Sequence, residues 1–172
     1  MNLVLEKNIK LNKNLFVFGN IAPDLHIGFM KEKHYKKFCY EKLKENIIKL
    51  SQTKMTLKEF SFNAGIICHY LSDIFCYPHE QEWFCFKGNT KEHLFFEEKQ
   101  SLLTNNKIFV ADKNLEIKDF EMFYIDFFIE SLLDEYKNSI DYSRDIKYAV
   151  NVAYTCVEKM LFKMFQQNVI VA

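Results

Sequence analysis

Glycine and proline are scarce in this chain, at four and two of 172 residues. None of the glycines falls in a Gly-x-Gly-x-x-Gly or Walker-type run, which excludes a dinucleotide fingerprint or a phosphate-cradling loop. With no Gly/Ser-rich stretch there is no candidate linker, so one domain over residues 1–172 is expected. Charge of one sign is also missing. Twenty-three basic residues balance twenty-three acidic ones, without the basic footprint of a dedicated nucleic-acid binder. No run approaches the eighteen or so uncharged apolar residues a membrane helix needs, so no stable membrane insertion is expected. The first ten residues carry Glu6, Lys7 and Lys10 and do not read as a signal peptide. The five cysteines (Cys39, Cys68, Cys76, Cys85, Cys156) are odd in number and contain no Cys-x-x-Cys pair. They read as reduced, partly buried thiols, and the expected location is cytoplasmic.

What is present is helical pattern. Apolar residues recur at three and four positions through most of the chain. The expected helices are about Leu11–Ile21, stopped by Pro23; His34–Leu50; Thr56–Tyr77, ended before Pro78; Thr90–Leu103; Ile117–Tyr136; and Tyr142–Gln167. Thr56-Leu-Lys-Glu59 fits a capping box. Thr104-Asn-Asn106 is expected to break the fourth helix, and Ile108–Ala111 to form a short extended piece. The fold class is therefore all-α, a single-domain bundle of five to seven helices. The stripe Phe120, Phe123, Tyr124, Phe127, Phe128 lies at helical spacing and is assigned to core packing rather than to a ligand cage.

All five histidines lie between positions 26 and 97. His69-Tyr-Leu-Ser-Asp73 sets an imidazole and a carboxylate on one helix face, a spacing that lets one turn present both to a zinc ion. Ile66, Ile67, Leu71, Ile74 and Phe75 surround them, and a carboxylate in such company is costly unless it is partnered. Gly65, four residues before His69, is expected to leave room on that face for a metal or substrate. His93-Leu-Phe-Phe-Glu97 repeats the device. Pro78 takes His79 off the helical track between the two. Upstream, Phe18-Gly-Asn-Ile-Ala-Pro-Asp24-Leu-His26 reads as a helix end and a turn, with His34 further on.

These residues resemble the zinc-dependent phospholipases C, which share an all-helical fold with the single-strand-specific zinc nucleases. The likeness rests on Gly19-Asn-Ile-Ala-Pro-Asp24, His34, His69-x-x-x-Asp73, His79 and His93-x-x-x-Glu97, and covers about residues 16 to 97. The resemblance implies one zinc ion on His34, His69 and Asp73, with Asp24 beside it as ligand or general base. It implies a second on His79, His93 and Glu97. Here His26 competes with His34. The family's third site uses an N-terminal tryptophan and a nearby histidine, and this chain has neither, its one tryptophan being Trp83. Zinc lowers the pKa of bound water to roughly 7, and paired ions can clamp a phosphodiester for in-line attack. The implied activity is phosphodiester hydrolysis on a phospholipid-type substrate. Two alternatives stand beside it: a nuclease on the same scaffold, disfavoured by the neutral charge, and a non-catalytic or degenerate zinc domain. For a structural zinc domain, Cys76, His79, Cys85 and His93 would form the ligand set, whereas a degenerate member would fold without metal.

Overall fold

A computed structural model describes residues 11–25, 36–76, 90–112, 114, 115, 117, 122–136, 141–167 and 170–171. Within these, the side chains of 36–39, 41, 42, 90–94, 97, 122, 123, 170 and 171 are not described. The elements are α1 (Lys13–Leu25), α2 (Lys36–Gln52), β1 (Met55–Thr56), α3 (Leu57–Ile74), α4 (Thr90–Asn106), α5 (Met122–Tyr136), α6 (Tyr142–Gln166) and β2 (Ile170–Val171). The all-α expectation holds, with six helices among the described residues. The one addition is a two-residue parallel pairing, Met55 with Ile170 and Thr56 with Val171, which ties the end of α6 to the start of α3.

Helix α3 starts where its sequence says it should. The Glu59 backbone N–H donates to the Thr56 hydroxyl at 3.2 Å, and the Thr56 N–H donates back to the Glu59 carboxylate at 2.8 Å. One first-turn donor and the N–H of the cap residue are satisfied by this capping box. The helix then buries Phe60, Ala64, Ile67, Cys68, Leu71 and Ile74, spaced by three and four. Against them α6 sets Val152, Cys156, Val157 and Met160; Leu43 and Ile47 of α2 and Ile125 and Ile129 of α5 complete the core. Its α6 partner begins at Asp141, whose carboxylate accepts the N–H groups of Ser143 and Arg144.

Four local expectations are corrected. Pro23 does not stop α1 but lies buried inside its last turn. The proline ring already has a helical φ, and Ala22 and Pro23 are packed away from water, which offsets the missing N–H. Nor do Thr104 and Asn106 break α4. Their side chains donate to the carbonyls of Ser101 and Leu102, feeding polar groups back onto the helix they were expected to end. Residues 108–111 form no strand, and Ile108 and Val110 face solvent. The next stretch is fixed instead by the Asp112 N–H, which donates to the Asn151 side chain, and by the buried Ile117. In the aromatic stripe, Phe128 is buried and Tyr124 half-buried, as expected, but Phe127 is exposed. The side chains of Phe120 and Phe123 lie outside the described residues.

Helix α1 runs parallel to α3 in the most extensive helix–helix contact of the fold. Asn12 caps α1 by accepting the Leu15 N–H at 3.1 Å, and its own N–H donates to the Ser61 hydroxyl of α3 at 2.9 Å. One turn on, Gly19 meets the Phe62 backbone, and Gly65 meets the backbones of Phe16, Gly19 and Asn20. The Asn20 side chain donates to the Gly65 carbonyl at 3.3 Å. This crossing corrects the reading of Gly65. A Cβ there would strike α1, so its missing side chain serves close backbone approach and opens no space for a metal or substrate.

Candidate functional site

The parallel packing decides what meets what at the far end of the two helices. His69 stands four residues beyond Gly65 on α3, and Asp24 four beyond Asn20 on α1. The crossing therefore delivers the Asp24 carboxylate to the imidazole. His69 Nε2 lies 3.6 Å from Asp24 Oδ1 and 3.4 Å from Asp73 Oδ2. The His69 and Asp73 side chains are 11% and 13% exposed, whereas Asp24 is 64% exposed. One imidazole thus sits between a sheltered carboxylate from its own helix and a solvent-facing one from its neighbour. The Tyr70 ring meets the His69 ring edge to face at 5.3 Å.

Three of the seven residues singled out in the sequence are brought together in this way: Asp24, His69 and Asp73. Asp24 is not in a turn, as its Pro-Asp context suggested, but in the last turn of α1. His34 and its competitor His26 lie outside the described residues, as do His79 and Cys85. His93 and Glu97 belong to α4, with side chains outside the description. Among the described residues no three His, Cys, Asp or Glu side chains form a group able to hold a metal ion unaided. Of the Cys76-centred set only the Cys76 side chain is described, a buried thiol just beyond the end of α3.

Asp73 also lines a cavity of about 470 Å³ between α1, α3, α4 and α6. Its walls are partly apolar, from Phe16, Ile21 and Ile146, and partly polar, from Asn20, Ser72 and Gln100. Asp145 closes the α6 side, accepting the Tyr136 hydroxyl at 2.6 Å and the Gln100 amide at 3.4 Å. Site and cavity are contiguous through Asp73. Gly19 and Asn20 enter the sequence analysis only as part of the family motif, and the cavity residues of α4 and α6, Asp145 among them, carry no spacing signal that links them to Asp73. Gly65 was noticed and misread; a glycine within a strongly helical run costs about 1 kcal/mol against alanine and usually has a packing reason.

The helical bundle thus presents an imidazole between two carboxylates, beside a cavity of small-molecule size. Comparison with known families is decisive on kinship: the description "zinc dependent phospholipase C" matches residues 1–143, and the chain belongs to that family. The match extends well beyond the motif region, through α4 and α5. Nothing among curated proteins or solved structures matches the chain. No helix among the described residues is long and apolar enough to cross a membrane.

Proposed function

We propose that the chain is a zinc-dependent phosphodiester hydrolase whose substrate is a phospholipid-type diester. The observation that carries the reading is the position of His69 between Asp24 and Asp73. Zinc–nitrogen and zinc–oxygen bonds of about 2.0–2.2 Å at tetrahedral angles put neighbouring ligand atoms roughly 3.3–3.6 Å apart. The separation of His69 Nε2 from Asp73 Oδ2, 3.4 Å, has this length, and Asp24 Oδ1 stands 3.6 Å from the same nitrogen on its solvent side. The donor chemistry fits as well, one imidazole and sheltered carboxylate oxygen being ordinary zinc ligands.

In this reading His69 and Asp73 hold one ion, joined by His34. His79, His93 and Glu97 hold a second, on the strength of their spacing in the sequence. Zinc supplies Lewis acidity and lowers the pKa of a bound water to roughly 7. The protein's own residues do the rest. Asp73, sheltered in the α3 face, fixes the metal side of the site. Asp24, largely open to solvent, would accept the proton of the attacking water through its carboxylate oxygen. The cavity beyond Asp73 receives one substituent of the diester and limits the water around it. Zinc held there would supply the positive charge that a phosphodiester needs, so no basic cluster is required, consistent with a chain of zero net charge. The test is zinc content by elemental analysis, together with hydrolysis of phosphatidylcholine, a chromogenic phosphodiester and single-stranded DNA. Zinc-dependent cleavage of the first two is expected; cleavage of DNA alone would favour the nuclease, and no cleavage by zinc-loaded protein would overturn the reading.

A further inference from the structure

Helix α1 carries an apolar face that nothing among the described residues covers. Val17, Phe18, Ile21 and Leu25 are between 44% and 67% exposed. At 3.6 residues per turn these four positions fall within about 100° of arc, opposite the Gly19 crossing that packs on α3. The Phe62 ring of α3, 5.7 Å from that of Phe18, widens the patch. Four exposed apolar side chains on one short helix are far more than scattered surface residues.

We infer that this face docks the protein on a lipid surface, seating the α1 end of the site at headgroup depth. The inference rests on the phospholipid reading above and gives that site its means of approach. Three observations choose a lipid surface over a protein partner. First, the face adjoins the site: Asp24 lies only about 20° further round the same helix than Val17, and Val17 and Ile21 also line the cavity that Asp73 enters. Second, the face is built of Val, Phe, Ile and Leu, without the Tyr, Trp or Arg anchors of a protein hot spot. Third, Lys13 and Asp24 are the only charged residues of α1, so attachment has no electrostatic component to depend on. An amphipathic helix of this kind buries its apolar side about 5–10 Å into the headgroup boundary. That depth brings the Asp24 carboxylate level with lipid phosphodiesters.

The experiment is co-sedimentation of the zinc-loaded protein with phosphatidylcholine vesicles at low and high salt. The wild type is compared with Phe18→Ser/Leu25→Ser and with the control Ile108→Ser/Val110→Ser, far-UV circular dichroism confirming helix content in each. Wild type and control should sediment equally at both salt concentrations. Loss of two buried apolar side chains should weaken partitioning of the α1 variant by at least about tenfold. Equal binding by all three, no binding by the wild type, or binding that salt abolishes would overturn the inference. So would a wild-type dimer that the α1 variant converts to monomer, since a second copy would then cover the face. Sedimentation needs no turnover, so binding without hydrolysis sinks the hydrolase reading alone, and cleavage of a soluble diester without binding sinks the docking surface alone.

Discussion

Gly19 of α1 and Gly65 of α3 face each other so closely that neither could carry a Cβ without striking the other helix's backbone. This contact sets the separation and offset of the two helices, and so places Asp24 at His69. The obstacle at both glycines is main chain, which cannot swing aside as a side-chain tip can.

Gly65→Ala is therefore expected to destabilise the fold in spite of alanine's better helix propensity. Overpacking costs about 1–3 kcal/mol, against a gain of up to about 1 kcal/mol from propensity. A net loss of about 2 kcal/mol, read by urea unfolding, is the expected outcome. An unchanged or raised midpoint would show that the crossing is loose.

Asp24→Asn should leave the fold intact, because the side chain is largely in solvent and its helix is held at Asn12, Gly19 and Asn20. Loss of a general base lowers turnover by about 10²–10⁴-fold. Zinc content should stay at the wild-type level. A fall in zinc together with activity would make Asp24 a ligand instead.

The α3 cap gives the fold a pH dependence of its own. The Thr56 backbone N–H, and then its hydroxyl, donate to Glu59 and hold its carboxyl below the usual carboxylate range. A group whose pKa is lowered by folding stabilises fully above its unfolded pKa, and that contribution is lost as pH falls through the lower folded value. Glu59→Gln should accordingly lower Tm at neutral pH, with the gap from wild type closing as the solution is acidified below the ordinary carboxylate range. A gap that stays constant with pH would contradict this origin.

Cys68 and Cys156 are fully buried where α3 meets α6. Burial pushes both thiols up, Cys156 to about 12 and Cys68 further, with Cys156 adding to the shift at Cys68. At pH 8 neither should react with iodoacetamide in the folded protein, and both should react in denaturant, as peptide mapping by mass spectrometry would show. Rapid labelling of either in the native state would mean that the α3–α6 contact opens.

The sequence made the helical architecture legible because periodicity and caps are local: Thr56 with Glu59 and the three-four spacing of α3 need no tertiary information. His69 and Asp73 were legible for the same reason, being one turn apart. Asp24 was recognised through its place in a family motif, and its delivery to His69 depends on a helix crossing that no single segment encodes. Gly65 was misread because a missing side chain looks alike whether the space beside it holds a ligand or another backbone. Likewise Pro23, Thr104 and Asn106 read locally as breaks because their usual preference is to end helices; burial in one case and back-bonding to carbonyls in the others outweighs it. The cavity walls of Gln100 and Asp145 come from two helices distant in sequence, and no spacing rule joins them to Asp73.

Whether His69 and Asp73 hold zinc for phosphodiester cleavage, with Asp24 beside them as the base, is tested most directly by titrating zinc into metal-stripped wild-type and His69→Ala protein. Bound metal and hydrolysis of a chromogenic phosphodiester are followed together. In the wild type, turnover should rise with zinc and saturate at a whole number of ions per chain. His69→Ala should bind one ion fewer and show no turnover. A variant that binds zinc and cleaves the diester as the wild type does would contradict the account.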